Sequence, residues 1–230
     1  MKDPYVYDGT NVLINLANIT NQEKLDSFET TLSRIASVEL INHPVTITNT
    51  NDIFLIHNAL FHQVYSWAGQ PRTINIYKEE YVLAGLSVEY SNYKNIKKDL
   101  ENIQKEIEKI DWAKCSKSDF ISRIVKIISS IWRVHPFREG NTRAVCMFLF
   151  LFMKQFNYKL NVDFISQNSK YFRNALVLAS IGEYSEYEHL EKLLKDSVNI
   201  RIIENNTVKY QTIKGYELEK YKYNYHTIKK

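Results

Sequence analysis

The pattern of apolar and polar residues along the chain is mainly that of amphipathic helices. Apolar side chains between residues 120 and 132 recur at intervals of three and four, as on the buried face of a helix. Similar periodicity predicts an all-α fold of six to eight helices, at about residues 22–41, 51–66, 91–110, 117–133, 141–156, 169–178 and 185–200. Ser118 is the predicted N-cap of the fourth helix. Residues 144–153 are almost wholly apolar, which indicates a helix buried on nearly every side.

A second pattern predicts one small β-hairpin in this helical fold. Residues 73–77 alternate polar and apolar side chains, a charged turn follows at residues 78–80, and residues 81–83 return. A solvated surface ribbon is the alternative for so short and charged a hairpin. Residues 200–210 are a weaker candidate for a strand.

The polar stretch between the fourth and fifth predicted helices holds most of the candidate chemistry. Residues 135–143 have the sequence His-Pro-Phe-Arg-Glu-Gly-Asn-Thr-Arg. Pro136 disfavours helix at His135, and Gly140 permits backbone conformations that other residues avoid. The stretch is therefore predicted to be a loop, and Asn141 is the predicted cap of the helix that follows.

A loop that ends at a helix N-terminus presents backbone N–H groups to an anion, and phosphate is the expected ligand. Arg143, with Arg138 nearby, would add charge-assisted hydrogen bonds. Glu139 would repel a bare phosphate, so its position favours Mg²⁺ shared between the carboxylate and phosphate oxygens. His135 titrates nearest to neutrality and is the candidate general base.

Each of these residues also has a plainer interpretation. A histidine before proline is usually a surface or helix-end residue, and Glu-Gly-Asn is an ordinary helix start. A zinc site built from His135 and Glu139 is disfavoured, because Pro136 and Gly140 oppose the helix it would need and no second histidine follows at ligand spacing. The combination in one loop favours the catalytic interpretation.

The loop resembles the motif of the Fic family of AMP-transferring enzymes, His-Pro-Phe-x-Asp/Glu-Gly-Asn-Gly-Arg-x-x-Arg. Further resemblance lies at residues 3–13, 67–78 and 179–191, so that it covers about residues 3–200. The N-terminal part resembles bacterial, toxin-type cell filamentation proteins that lack an inhibitory helix of their own. The family resemblance implies a protein adenylyltransferase.

Residue by residue, the resemblance implies that His135 takes the proton from a Ser, Thr or Tyr hydroxyl of a target protein. That oxygen would attack the α-phosphorus of ATP, and pyrophosphate would leave. Phe137 would anchor the loop, and Glu139 would hold Mg²⁺. The hairpin would cover the site and align the target segment by strand addition. The implied nucleotide-binding residues are Lys78, Arg138, Gly140, Asn141, Thr142, Arg143, Tyr171 and Asn174.

Two positions depart from the family pattern. Thr142 replaces a glycine, with little expected effect, because threonine suits a helix start. Cys146 replaces the last arginine and supplies neither charge nor a planar fork, so weaker binding of the phosphate tail is expected. Two alternatives therefore stay open: transfer of another phosphate-containing group, and a catalytically weakened Fic-fold binding protein.

Regulation is also implied by the resemblance. Family members are restrained by a helix with the pattern Ser/Thr-x-x-x-Glu-Gly/Asn, and the nearest match here has Ile200 in place of the hydroxyl residue before Glu204. A small separate antitoxin is therefore expected, although Cys146 removes the arginine with which the inhibitory glutamate usually pairs.

Composition sets wider limits. The chain has 230 residues, 44% of them hydrophobic, which is enough for one sizeable core. We expect a Fic domain at residues 1–200 and a basic, tyrosine-rich extension at 201–230. Its six lysines are a modest patch, which favours a solvated tail over nucleic-acid binding. Two cysteines, no signal-like segment and no apolar run of membrane-spanning length favour a cytoplasmic protein.

Overall fold

Eight α-helices carry the fold in a computed structural model, which describes residues 3–199. They are α1 Gln22–Asn42, α2 Asp52–Phe61, α3 Ile96–Glu108, α4 Lys117–Val134, α5 Asn141–Gln155, α6 Val162–Gln167, α7 Ser169–Leu178 and α8 Glu188–Asn199. The predicted mainly helical fold is confirmed. The predicted strand at 200–210 and the extension at 201–230 lie outside the described residues.

The helix boundaries differ from the predicted ones at several places. Ser116, not Ser118, caps α4, because its hydroxyl accepts the Asp119 backbone N–H at 3.2 Å. Gly140, not Asn141, is the N-cap of α5 and has a φ of 80°. The short helix α6 was not predicted, since six residues are too few for apolar periodicity to show.

The predicted β-hairpin is not formed by paired strands in residues 3–199. Tyr81–Leu83 is a 3-10 helix, and the one isolated β-bridge in this range joins Val6 to Leu13. Val82 and Leu83 are neighbours in sequence and both are buried, which the alternating faces of a strand would not allow. We call residues 73–87 the flap. The Glu80 N–H closes it with a 3.0 Å hydrogen bond to the Leu86 carbonyl.

The core is built around α4 and α5. Helix α4 packs against α3, α5, α7 and α8, and α5 packs against α2 and α4. Their inward side chains are almost completely shielded from solvent, including Phe120, Trp132 and Phe148. The loop at residues 135–140 therefore joins two buried helices, so its backbone is fixed at both ends.

No helix in residues 3–199 combines the length and apolar character needed to cross a membrane. The two cysteines, Cys115 and Cys146, are both free thiols.

Candidate active site

The loop begins at His135, the candidate general base, whose backbone is strained. Helix α4 ends at His135, whose φ of 50° and ψ of 59° place it in the left-handed region. That conformation costs a residue with a side chain about 1–2 kcal/mol, so neighbouring groups must hold it in place. The His135 backbone N–H donates to the Trp132 carbonyl at 3.0 Å, which closes the end of the helix.

Arg72 holds this backbone from the side of the flap. It is 2% exposed, its Nε donates to the His135 carbonyl at 2.8 Å, and its backbone N–H donates to the Pro136 carbonyl at 2.8 Å. The guanidinium also donates to the Ile74 carbonyl at 2.6 Å and to the Ser91 carbonyl. Burial lowers the pKa of Arg72. Arg72 thereby ties the base of the flap to the loop.

His57 on α2 holds the other end of the loop. Its Nδ1 accepts the Gly69 N–H at 2.9 Å, so the proton lies on Nε2, which donates to the Glu139 carbonyl at 3.0 Å. Its ring stacks on that of Phe137 at 3.7 Å, and Phe137 is completely buried, as an anchor should be. Burial lowers the pKa of His57 to about 3, so this imidazole is neutral.

The side chains of Asn141 and Thr142 form hydrogen bonds with other groups of the protein. The Asn141 side chain accepts the Phe137 N–H at 2.9 Å and donates to the Phe137 carbonyl at 2.8 Å, which closes the turn. The Thr142 hydroxyl accepts the Trp132 indole N–H at 3.0 Å. The N-cap of α5, Gly140, has no side chain to cap the helix, and its own N–H donates to the Glu139 carboxylate at 3.0 Å. Binding of phosphate at this helix N-terminus stays a prediction.

The His135 imidazole has the form that a general base requires. Its Nδ1 lies 3.2 Å from the Trp132 carbonyl, an acceptor, so Nδ1 carries the proton and Nε2 keeps its lone pair. Nε2 is buried and has no hydrogen-bond partner within the described part of the chain. The Tyr90 ring lies 4.0 Å from the His135 ring. Burial, and after it the charge of Lys78, holds the pKa of His135 well below 6.5.

Glu139 and Lys78 form an ion pair beside this base. Lys78 Nζ lies 3.0 Å from Glu139 Oε2, and the Gly140 N–H donates to Oε1 at 3.0 Å. Burial opposes ionisation of Glu139, but the lysine charge and these hydrogen bonds prevail and lower its pKa to about 2. An ionised carboxylate is the kind of group that would hold Mg²⁺, so Glu139 is the residue that would bind the metal.

The two arginines of the loop are each paired with an acid. Arg138 Nε donates to Asp3 Oδ2 at 2.8 Å. Arg143 pairs with Glu29 of α1 and donates to the Ser33 hydroxyl at 3.1 Å. The sequence indicated neither partner, because Asp3 and Glu29 lie more than one hundred residues away along the chain. Their assignment as phosphate ligands stays a prediction.

Glu80 is a functional candidate that the sequence pattern did not indicate. It was expected in the charged turn of the hairpin, with a solvated ribbon as the alternative, yet it is 1% exposed. Arg173 of α7 donates two hydrogen bonds to its carboxylate, at 2.6 and 2.9 Å. The Tyr90 hydroxyl donates to the same carboxylate at 3.3 Å. This bidentate pair fixes the flap against α7, and Tyr90 links it to the ring of His135.

Tyr171 and Asn174 lie on α7 and are both buried. The Tyr171 hydroxyl is 3.5 Å from His189 Nδ1. Arg173, on the same helix, reaches the flap through Glu80, so α7 borders the flap. A nucleotide-binding role for Tyr171 and Asn174 stays a prediction.

The fold is that of a helical domain in which the loop holds a buried, neutral histidine and leads into a helix whose N-cap is a glycine. The model of the Fic/DOC family matches residues 47–153. The chain is 30% identical over 185 residues to the "Probable protein adenylyltransferase y4lH" of Sinorhizobium fredii. The aligned region covers 80% of this chain and 91% of that protein. The chain therefore belongs to the Fic/DOC family.

Other relatives agree with this assignment. Protein adenylyltransferase VbhT of Bartonella schoenbuchensis is 26% identical over 184 residues, 79% of this chain but 36% of VbhT. The crystal structure of BepC, a VirB-translocated effector of Bartonella tribocorum with bound AMPPNP, superimposes with a TM-score of 0.69 and 23% identity. That comparison covers 84% of this chain and 95% of the BepC chain. It confirms the fold.

Proposed function

We propose that this chain is a protein adenylyltransferase, a nucleotidyltransferase that moves AMP from ATP to a Ser, Thr or Tyr hydroxyl of a target protein. The names of its relatives y4lH and VbhT support this activity. The observation that carries the proposal is the Nε2 lone pair of a neutral His135, held beside the N-terminus of α5. A base at this place is what phosphoryl-group chemistry with a hydroxyl nucleophile requires.

In the proposed reaction, the target hydroxyl gives its proton to His135 Nε2. Its oxygen forms a bond to the α-phosphorus of ATP, the bond from that phosphorus to the bridging oxygen breaks, and pyrophosphate leaves. The N-terminus of α5 faces the developing negative charge. Since Nε2 is buried, the hydroxyl has to displace side chains that cover it. Glu139 would hold Mg²⁺, which neutralises phosphate charge when bound.

Incubation with ATP labelled at the α- or the γ-phosphate tests this proposal. Label from the α-position on protein identifies AMP transfer. Label from the γ-position alone would replace the proposal with phosphoryl transfer, and no label from either would favour a binding protein or another donor. Mass spectrometry of the labelled peptide identifies the modified hydroxyl.

The pH dependence follows from the lowered pKa of His135. Because the pKa of His135 lies well below 6.5, the imidazole keeps its lone pair at pH 6.5. Glu139 is also ionised at this pH, because its pKa is about 2. We therefore expect kcat/KM to stay level as pH falls from 8 to about 6, whereas an ordinary histidine would already be half protonated at about 6.5. A pH profile corrected for ATP protonation measures this. An acid midpoint at or above 6.5 would contradict the expectation.

Cys146 offers a second test at the departure from the family pattern. It lies on α5 one turn after Arg143, is partly buried, and burial raises the pKa of its thiol to about 12, so it carries no charge. We expect Cys146→Arg to bind ATP about fivefold more tightly, as one added charge-assisted contact would give. Calorimetry with Cys146→Ser as the uncharged control measures the gain. Equal affinities of the two variants would show that position 146 does not meet the phosphate tail.

The finer part of the proposal concerns biological role. We infer a cytoplasmic toxin that a separate antitoxin restrains, with the target segment docked along the flap. The incomplete inhibitory pattern in the sequence supports a separate inhibitor. Co-purification of this chain with the product of a neighbouring reading frame tests the antitoxin. Crosslinking from exposed Tyr77 in the flap tests target docking.

A further inference from the structure

Both carboxylate oxygens of Glu139 have partners inside the protein. Oε1 accepts the Gly140 N–H at 3.0 Å, and Oε2 lies 3.0 Å from Lys78 Nζ. Lys78 and Glu139 are both about one-quarter to one-third exposed, at 26% and 36% of the side chain. A divalent cation that binds this carboxylate must therefore compete with an ammonium group that is already there.

The flap holds Lys78 in this place. The Lys78 backbone N–H donates to the Ser87 hydroxyl at 3.2 Å. Two residues further on, the buried Glu80 carboxylate accepts hydrogen bonds from Nη1 and Nη2 of Arg173. On the N-terminal side of Lys78, the Ile74 carbonyl accepts a hydrogen bond from Arg72. With its backbone fixed on both sides, Lys78 changes partner by moving its flexible side chain.

Three other cations around the loop are each paired with a different acid, and Arg72 is bound to backbone carbonyls. Arg138 pairs with Asp3, Arg143 pairs with Glu29, and Arg173 pairs with Glu80. Among the ion pairs of the described residues, Lys78 is the cation bound to the candidate metal ligand. An ammonium on a long stem is also easier to exchange between anions than a bidentate guanidinium.

We propose that Lys78 is a resident counter-ion of Glu139 that makes metal binding depend on nucleotide. A free divalent cation has to displace the ammonium without compensation. A metal that arrives with ATP brings phosphate oxygens, which give Lys78 a new anionic partner as it leaves Glu139. Metal and nucleotide then strengthen each other's binding, with equal coupling in both directions. This inference rests on the proposed function only in taking ATP as the nucleotide.

The test measures binding of Mn²⁺ as a spectroscopic substitute for Mg²⁺, by electron paramagnetic resonance and calorimetry. Lys78→Met should bind Mn²⁺ at least about fivefold more tightly than the wild type in the absence of nucleotide, the lower end of ordinary coupling. The gain in Mn²⁺ affinity caused by the non-hydrolysable analogue AMPPNP should shrink in the same variant. Lys109→Met, which removes an exposed charge paired with Glu106, is the matched control and should match the wild type.

Two further variants keep the result decisive. Lys78→Arg retains the charge and should bind free Mn²⁺ as weakly as the wild type, and Lys78→Gln replaces Lys78→Met if that variant does not fold. Glu139→Gln should abolish the Mn²⁺ site. Equal Mn²⁺ affinity in the wild type and the neutral variant overturns the proposal, as does persistent binding in Glu139→Gln.

Failure of the counter-ion proposal can be distinguished from failure of the proposed adenylyltransferase function. If the wild type transfers α-labelled AMP but the neutral variant gains no Mn²⁺ affinity, only the role of Lys78 is wrong. If the neutral variant binds Mn²⁺ more tightly but no label is transferred by the wild type, the adenylyltransferase proposal is wrong and the role of Lys78 as counter-ion is supported.

Discussion

Replacement of His135 by asparagine should lower the rate of AMP transfer by a factor of about 10²–10⁴, the usual contribution of a general base. The variant removes the Nε2 lone pair that would accept the proton of the target hydroxyl. Asparagine is chosen because it tolerates the left-handed backbone that His135 adopts, with a φ of 50°. The loss should therefore appear in kcat, measured with α-labelled ATP, and not in urea unfolding or in nucleotide affinity.

His62→Asn is the control for this substitution. His62 is an exposed histidine at the end of α2, and its Nδ1 lies 3.1 Å from the Asn58 carbonyl of its own helix. We expect unchanged transfer in this variant. If folded His135→Asn kept more than about one-tenth of the wild-type rate, His135 would not be the general base.

The second large effect is expected at Gly140. An ideal Cβ built on Gly140 lies 2.5 Å from the Phe61 ring and 3.1 Å from His57 Nε2, and the residue has a φ of 80°. Gly140→Ala therefore combines left-handed strain with overpacking against a buried ring. We expect the free energy of unfolding to fall by about 3 kcal/mol. AMP transfer should fall as well, since the same glycine caps α5 and donates to Glu139.

Gly85→Ala separates the two causes. Gly85 has a φ of 89°, but no heavy atom lies within 4 Å of its ideal Cβ. The free energy of unfolding of this variant should fall only by the cost of placing alanine in the left-handed region, about 1 kcal/mol. Urea unfolding of both variants measures the difference, which is the cost of contact with the Phe61 ring and His57. Equal losses would show that the loop yields to the added methyl group.

Local features of the chain were predictable because their causes are local. The spacing of apolar residues in α4 and α5 depends on helix geometry alone, so both helices lie close to the predicted bounds. The flap was not predictable in the same way. Its alternating residues favour a strand, but the burial of Val82, Leu83 and Glu80 against the helical body curls it into a 3-10 turn.

The order of residues alone indicates a mainly helical protein, a candidate active site in the loop at residues 135–143, and the resemblance of this loop to the Fic motif. The groups that hold the loop became visible in the folded chain. The hydrogen bond from His57 to Glu139 spans 82 residues, and that from Arg173 to Glu80 spans 93. Such partners depend on how the helices pack, which no local pattern records. The ion pair between Lys78 and Glu139, 61 residues apart, belongs to the same class, because the position of the flap brings the two charges together.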